Sequence, residues 1–167
     1  MDAAAELIEL LGAEHVHVHP IDRQIYAKDA GVSVGDPSVV VLPDTTEQVE
    51  AIMGIAVRAG LPGVARGAGT GLAGGAVPAP GSILVVLTRM NEIFEVDEIG
   101  RTAWVGPGVI NLDLSNALTE VGLHFAPDPS SQQSSTCLLY TSPSPRDLLS
   151  HRVCRLLLEK GGGGGGG

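Results

Sequence analysis

The stretch that decides the fold is GAGTGLAGGA at residues 67–76, which directly follows Arg66. It contains five glycines, no charged residue and no proline, so every one of its residues keeps a backbone N–H donor. Glycine lets a ligand approach the main chain closely. Successive amides in turn conformations form a concave site for anions, and Arg66 adds positive charge beside it. The stretch therefore predicts a loop that wraps an anionic group such as a phosphate. We call it the glycine loop.

Residues 69–74 also fit the GxGxxG pattern of dinucleotide-binding Rossmann folds, but the flanking sequence excludes that fold. A Rossmann glycine motif opens a helix, whereas Pro78 and Pro80 follow closely here and forbid one. Glu92 is the only acidic residue near the position expected to bind a ribose, and it does not end a strand. A Walker A loop is also excluded, because the sequence contains no Gly-Lys-Ser or Gly-Lys-Thr. The glycine loop is therefore predicted to join two strands.

The apolar pattern around the loop predicts an α+β fold for residues 1–136. Asp2 is expected to cap a first helix, Asp44 with Glu47 to start a second one, and Asn111 to cap a third. Strands are predicted at residues 38–42, 63–66, 82–87, 93–97 and 101–105. A strand-helix-strand opening followed by a meander favours helices packed against a sheet.

Motifs on both sides of the glycine loop occur in the same order in a known family. Over residues 7–136 the chain resembles the FAD-linked oxidases of the vanillyl-alcohol oxidase superfamily, which carry a PCMH-type FAD-binding domain. It is similar to the group that contains the glycolate oxidase D-subunit and D-lactate dehydrogenase. The motifs are YAKD at 26–29, VVLPDTTEQV at 40–49, the glycine loop, TRMN at 88–91, GPGV at 106–109 and PDPSS at 127–131.

This resemblance implies a cofactor and the residues that bind it. The cofactor is FAD, held without a covalent bond because Thr70 stands where some relatives carry the histidine that attaches the flavin. The glycine loop would cradle the FAD pyrophosphate, and the segment at residues 127–136 would continue toward the flavin. The residues assigned to FAD in this way are Arg66, Gly67, Ala68, Gly69, Thr70, Gly71, Leu72, Gly75, Asp128, Pro129, Ser130, Ser135 and Thr136.

The resemblance also implies an activity. The family member would move a hydride from a small 2-hydroxy acid, such as glycolate or D-lactate, to FAD, with electron-transfer subunits as further partners. Residues 1–136 would form the first subdomain and the start of the second subdomain of a truncated FAD-binding domain. The substrate-binding domain lies outside the sequence, so no catalytic residue is assigned and the fragment is expected to be inactive. The alternatives are another flavoprotein of this fold, such as UDP-N-acetylenolpyruvoylglucosamine reductase, and an inert truncated fragment.

Residues 137–167 resemble translated DNA of a different origin. The sequence CLLYTSPSPRD at 137–147 is one reading frame of a transposase-library sequencing adapter, and residues 153–160 fit the distal part of the same adapter. The seven glycines at 161–167 fit a run of G calls after the end of a template. We therefore expect residues 137–167 to be a non-native, disordered tail and leave them out of the fold prediction.

The charge of residues 1–136 excludes some classes of partner. Six lysines and arginines stand against seventeen aspartates and glutamates, which gives a net charge of −11. Nucleic-acid binding depends on clustered Lys and Arg, so it is not expected. Both cysteines lie beyond residue 136, which leaves the preceding part without a disulfide or a thiol nucleophile. No apolar run suits a membrane span or a signal peptide, and a cytoplasmic location is expected.

Simpler structural roles remain open for several residues. The glycine loop also suits a plain linker, and Arg66 suits a structural pairing with an acidic neighbour. His15, His17 and His19 alternate along the sequence, as metal ligands on one face of a strand would. An exposed strand edge is the commoner reason for such alternation, and no metal site is predicted. The remaining residues with two open roles, in the fold or at the flavin, are Tyr26, Asp29, Trp104 and Asp128.

Overall fold

The computed structural model describes residues 2–127 and 129–137, and the backbone alone at 154–157 and 159–160. The chain divides into two compact units, Met1–Met90 and Asn91–Gly167. Each unit contains β-structure of its own, with helices beside it. This is the mixed α+β fold that the sequence predicts.

The first unit is built on a four-stranded sheet. Its elements are, in chain order, α1 (Ala3–Leu11), β1 (Val16–His17), α2 (Pro20–Ile25), β2 (Val39–Val41), α3 (Thr46–Ala59), β3 (Gly63–Arg66) and β4 (Ile83–Val86). The strand order is β1-β2-β4-β3, in which β2, β4 and β3 run parallel and β1 is an antiparallel edge strand. The chain passes from β2 through α3 to β3 and then returns to fill the middle of the sheet with β4.

The middle position explains the composition of β4. All four of its residues, ILVV, are buried, as is typical of a parallel strand with neighbours on both sides. Leu84 packs with Val40 and Val86 in one core cluster. Helices α1 and α3 contact each other, and each buries an apolar side chain completely, Leu7 and Ile52 respectively. The core therefore lies around the strand that follows the glycine loop.

The start of α3 lies one residue later than the sequence predicts. Thr45, not Asp44, is the N-cap, and its hydroxyl accepts a hydrogen bond from the N–H of Gln48. The carboxylate of Asp44 instead forms a two-pronged ion pair with Arg89, at 2.5 and 2.7 Å. This hydrogen-bonded cation lowers the pKa of Asp44. Thr45 therefore caps the helix, while the Asp44 carboxylate pairs with Arg89.

The second unit is antiparallel. It contains β5 (Ile93–Asp97), β6 (Thr102–Val105), α4 (Asn111–Leu118), β7 (Leu123–His124), β8 (Cys154–Leu157) and β9 (Glu159–Lys160). One sheet has the order β5-β6-β8, and β7 pairs with β9. The buried side chains of β6 and α4 pack together in a second core cluster.

Two strands lie where the sequence predicts a disordered tail. β8 pairs with β6 along all four residues, and β9 pairs with β7. The edge of a sheet presents unpaired backbone groups, with which an extended segment can pair. Cys137 is also buried in the second core cluster, and its N–H donates to the carbonyl of Val109 at 2.8 Å. The folded chain thus continues one residue past position 136.

In the part of the chain that the structure describes, none of the helices combines the length and apolar character needed to cross a bilayer.

Candidate functional site

The glycine loop begins where β3 ends, as the sequence predicts. Arg66 is the last residue of β3, and the chain leaves the sheet there before it returns to β4. The carboxyl ends of parallel strands are the usual location of ligand sites in such sheets. The loop is therefore in a suitable place to bind a ligand.

Several carbonyl groups of the loop accept hydrogen bonds from the protein, whereas most of its amides donate none among the described residues. The carbonyl oxygen of Ala68 accepts from the Arg66 guanidinium at 3.4 Å, and that of Gly71 accepts from the N–H of Ala30 at 3.1 Å. The N–H groups of residues 68–73 donate no hydrogen bond to any residue within 2–127 or 129–137. A run of free donors held by anchored carbonyls is the arrangement that binds an anion.

Arg66 lies under the loop and holds it there. Its side chain is buried, donates to the carbonyl of Lys28 at 2.7 Å and stands 5.9 Å from the ring centre of Tyr26. Burial lowers the pKa of Arg66, and the nearby carboxylate of Asp29 acts in the opposite direction on the same pKa. The side chain is therefore engaged with the fold, which favours the structural role left open for it.

Asp29 is the second buried charged residue at the loop. One carboxylate oxygen accepts from the N–H of Gly31 at 2.8 Å, and the other accepts from the N–H of Gly74 at 3.0 Å. The sequence left two roles open for Asp29, one in the fold and one at the flavin. These contacts favour the role in the fold. The sequence offered one signal, since Asp29 belongs to the YAKD motif of the resemblance.

Within the glycine loop, Gly69 is the position where glycine is required most clearly. Its φ is +75°, and a Cβ added there would come within 2.1 Å of an Arg66 guanidinium nitrogen. Leu72 is largely exposed at the loop surface, Thr70 is partly exposed, and a Cβ at Gly75 would meet open space. The loop therefore combines a constrained turn with accessible residues.

The remaining predicted flavin residues belong to the second unit. Asp128 lies outside the described residues. The carbonyl of Pro129 accepts from the N–H of Gln132 at 2.9 Å, and Ser130 is exposed in the turn that follows. Ser135 and Thr136 are buried, and Thr136 forms an isolated bridge with Ile110.

Asn111 connects α4 to the segment at residues 127–136. The sequence predicted a different role, in which Asn111 caps the helix. Ile110 is the N-cap of the helix, and Asn111 is its buried first residue. Its side-chain amide donates to the carbonyl of Pro127 at 2.9 Å, and its backbone N–H donates to the carbonyl of Ser135 at 3.0 Å. Asn111 Oδ1 and Ser135 Oγ are buried without a hydrogen-bond partner among the described residues, so both can receive a donor from elsewhere.

Replacing Asn111 with alanine is expected to lower the free energy of unfolding by about 1–3 kcal/mol, because the Pro127 carbonyl loses its donor and a buried side chain is removed. Asn116→Ala, at an exposed position of the same helix, is the matched control and should stay within about 0.5 kcal/mol. Urea unfolding followed by the fluorescence of Trp104, the single tryptophan of the same unit, measures both. Equal stabilities of the two variants would contradict the role given to Asn111.

The three alternating histidines have separate contacts with the protein. His15 Nδ1 lies 3.0 Å from the Arg89 guanidinium, His19 Nδ1 accepts from the N–H of Ile21 at 3.4 Å, and His17 stacks on Tyr26 at 5.9 Å between ring centres. β1, which carries His17, is the edge strand of its sheet. In the second unit, Trp104 is partly buried within β6.

Comparison with known proteins gives the same family on independent grounds. A family model described as FAD binding domain matches residues 37–137. The glycolate oxidase subunit GlcD of Escherichia coli (strain K12) is 50% identical over 96 residues, which are 58% of this chain and 19% of that protein. GlcD of Bacillus subtilis (strain 168) is 38% identical over 136 residues, which are 81% of this chain and 29% of that protein.

Further similarities extend to a dehydrogenase and an oxidase. D-lactate dehydrogenase of Archaeoglobus fulgidus is 42% identical over 94 residues, or 56% of this chain and 21% of that protein. The solved structure of 4-ethylphenol oxidase from Gulosibacter chungangensis is matched with a TM-score of 0.71 and 32% identity, over 82% of this chain and 27% of that one. The chain thus spans between a fifth and a third of the proteins it matches.

The residues present fit a dinucleotide with paired phosphates. The amides of residues 68–73, which donate no hydrogen bond among the described residues, are groups of the kind that bind phosphate oxygens. The family model covers the glycine loop and the segment at residues 127–136. The chain therefore belongs to the FAD binding domain family, and FAD is its cofactor.

Proposed function

We propose that this chain is the flavin-binding part of an FAD-dependent oxidoreductase that oxidises a small 2-hydroxy acid, of the glycolate or D-lactate type, in the cytoplasm. The observation that carries the proposal is the run of amides at residues 68–73 that donate no hydrogen bond among the described residues, in a loop whose Ala68 and Gly71 carbonyls are hydrogen-bonded to the protein. The names of the GlcD proteins and of the archaeal D-lactate dehydrogenase support the substrate class. The word subunit in the GlcD name supports partner subunits that carry electrons onward.

In this proposal FAD supplies the acceptor for the hydride of the substrate. The chain's own residues bind and orient that cofactor. The amides of the glycine loop hold the pyrophosphate, the hydroxyl of Thr70 adds a further donor, and Leu72 and Gly75 border the site. In the second unit the residues assigned to the flavin are Asp128, Pro129, Ser130, Ser135 and Thr136.

Binding has to overcome the acidic charge of the chain, which is −9 overall. Main-chain amides act within hydrogen-bond distance, whereas surface carboxylates more than about 10 Å away are largely screened at cellular salt concentrations. Short-range donors therefore outweigh the repulsion between the protein and an anionic dinucleotide.

The experiment is a reduction assay on the full-length protein encoded by the source gene. The purified protein is expected to be yellow and to bleach when glycolate or D-lactate is added without oxygen, because the flavin accepts the hydride. L-lactate serves as the stereochemical control and should leave the colour unchanged. A colourless protein that takes up no FAD would refute the proposal, and bleaching by NADPH alone would favour the UDP-N-acetylenolpyruvoylglucosamine reductase type.

A further inference from the structure

We propose that Asp29 is a positioning residue that, together with its two chain neighbours, holds the glycine loop in its anion-binding conformation from the inner side. This inference rests on the proposed function, because it gives the loop a ligand to be positioned for. Residues 28–30 are called the clamp below.

The clamp contacts the loop at three successive points. The carbonyl of Lys28 accepts from Arg66 at the start of the loop, at 2.7 Å. The N–H of Ala30 donates to the carbonyl of Gly71 in its middle, at 3.1 Å. The carboxylate of Asp29 accepts from the N–H of Gly74 near its end, at 3.0 Å. Three consecutive residues therefore fix the beginning, middle and end of the same loop.

Among the three clamp residues, Asp29 is the one whose charged side chain is buried. Its exposed fraction is 6%, and a carboxylate that is removed from water requires compensation. Hydrogen bonds from Gly31 and Gly74 and the positive charge of Arg66 provide it. The Gly74 N–H donates to Asp29, whereas the amides of residues 68–73 before it donate no hydrogen bond among the described residues.

The consequence is that the loop is ordered before it binds. A ligand that meets a loop already in its binding conformation does not lose affinity to the cost of ordering it. If the clamp is weakened, only a fraction of molecules presents the amides correctly, and the apparent Kd rises by the inverse of that fraction.

The test compares Asp29→Asn and Asp29→Ala in the full-length protein, with FAD as the probe. Asparagine keeps one acceptor oxygen but loses the charge, whereas alanine loses both hydrogen bonds. We expect the Kd for FAD to rise about tenfold for asparagine and about a hundredfold for alanine, from the usual strength of hydrogen bonds to charged groups. Fluorescence quenching during FAD titration measures these values.

A second readout separates positioning from general destabilisation. Amide hydrogen exchange without flavin is expected to become faster at residues 68–73 in both Asp29 variants, while exchange in β4 stays as in the wild type. Asp2→Ala is the matched control, since the Asp2 carboxylate also accepts a backbone N–H, that of Ala4 at 3.1 Å, but at the start of α1. It should lower stability and leave the Kd for FAD unchanged.

The outcomes distinguish the two proposals. A wild-type Kd for FAD in Asp29→Ala, or unchanged exchange at residues 68–73, would overturn the positioning role of Asp29. A wild-type protein that binds no FAD would overturn the proposed function, while the exchange measurement on the flavin-free protein would still decide whether Asp29 fixes the loop.

Discussion

Gly69→Asp is expected to abolish FAD retention, and Gly69→Ala to weaken FAD binding by at least about tenfold. A left-handed conformation costs an L-residue about 1–2 kcal/mol, and Gly69 has a φ of +75°. The added Cβ would also come within 2.1 Å of the buried Arg66 guanidinium, so either the loop or Arg66 must move. Aspartate adds a carboxylate that competes with the phosphates for the loop amides.

The measurement is the ratio of flavin to protein after gel filtration of the full-length protein. Gly81→Ala is the matched control, because Gly81 has nearly the same φ, +72°, but a Cβ there would meet nothing within 4 Å. This variant should lose a similar amount of stability and keep its flavin. Normal flavin retention in Gly69→Asp would show that the glycine loop does not hold the cofactor.

Arg66→Met is expected to destabilise the flavin-free protein by about 3 kcal/mol or more. The substitution removes the donors of the Lys28 and Ala68 carbonyls and leaves the buried Asp29 carboxylate without its nearby cation. Arg66→Lys should recover only part of this loss, because one ammonium group cannot reproduce the planar fork that reaches both carbonyls. An arginine that served solely to neutralise phosphate would leave the flavin-free protein equally stable.

Urea unfolding of the flavin-free protein, followed by circular dichroism, gives the comparison. Arg58→Met is the control, since Arg58 forms an exposed ion pair with Glu6 at 2.7 Å, and such pairs contribute at most about 1 kcal/mol. If the Arg66 and Arg58 variants unfold at the same urea concentration, the structural role of Arg66 is wrong.

Much of the fold could be predicted because its elements carry strong local signals. The apolar run at β4 and the helical spacing in α3 locate these elements to within a residue or so. The six-residue helix α2 was not predicted, since it is too short to show a period, and the two-residue strand β1 was indicated only by the alternation of His15, His17 and His19. The shift of the α3 cap from Asp44 to Thr45 depended on Arg89, a residue far along the chain.

The candidate site likewise has features that could be predicted from the sequence and features that could not. The glycine loop could be predicted, because its composition alone gives it free donors and tight turns. The inward direction of Arg66 and the two contacts of Asp29 could not, since they depend on how residues 28–30 meet a loop that begins beyond α3. The hydrogen bond of the Asn111 side chain was missed for the same reason, because its partner, the carbonyl of Pro127, lies beyond α4 in the sequence.

The three-point contact between residues 28–30 and the glycine loop has a consequence for how the domain acquires its cofactor during synthesis. The contact joins segments separated by β2, α3 and β3, and closing such a long chain segment is costly until both ends have native neighbours. A nascent chain that has been synthesised only as far as its first helices therefore cannot yet form the contacts between residues 28–30 and the glycine loop. Flavin binding therefore requires that residues 28–30 and the glycine loop are already in contact, and it then shifts the folding equilibrium toward the native state.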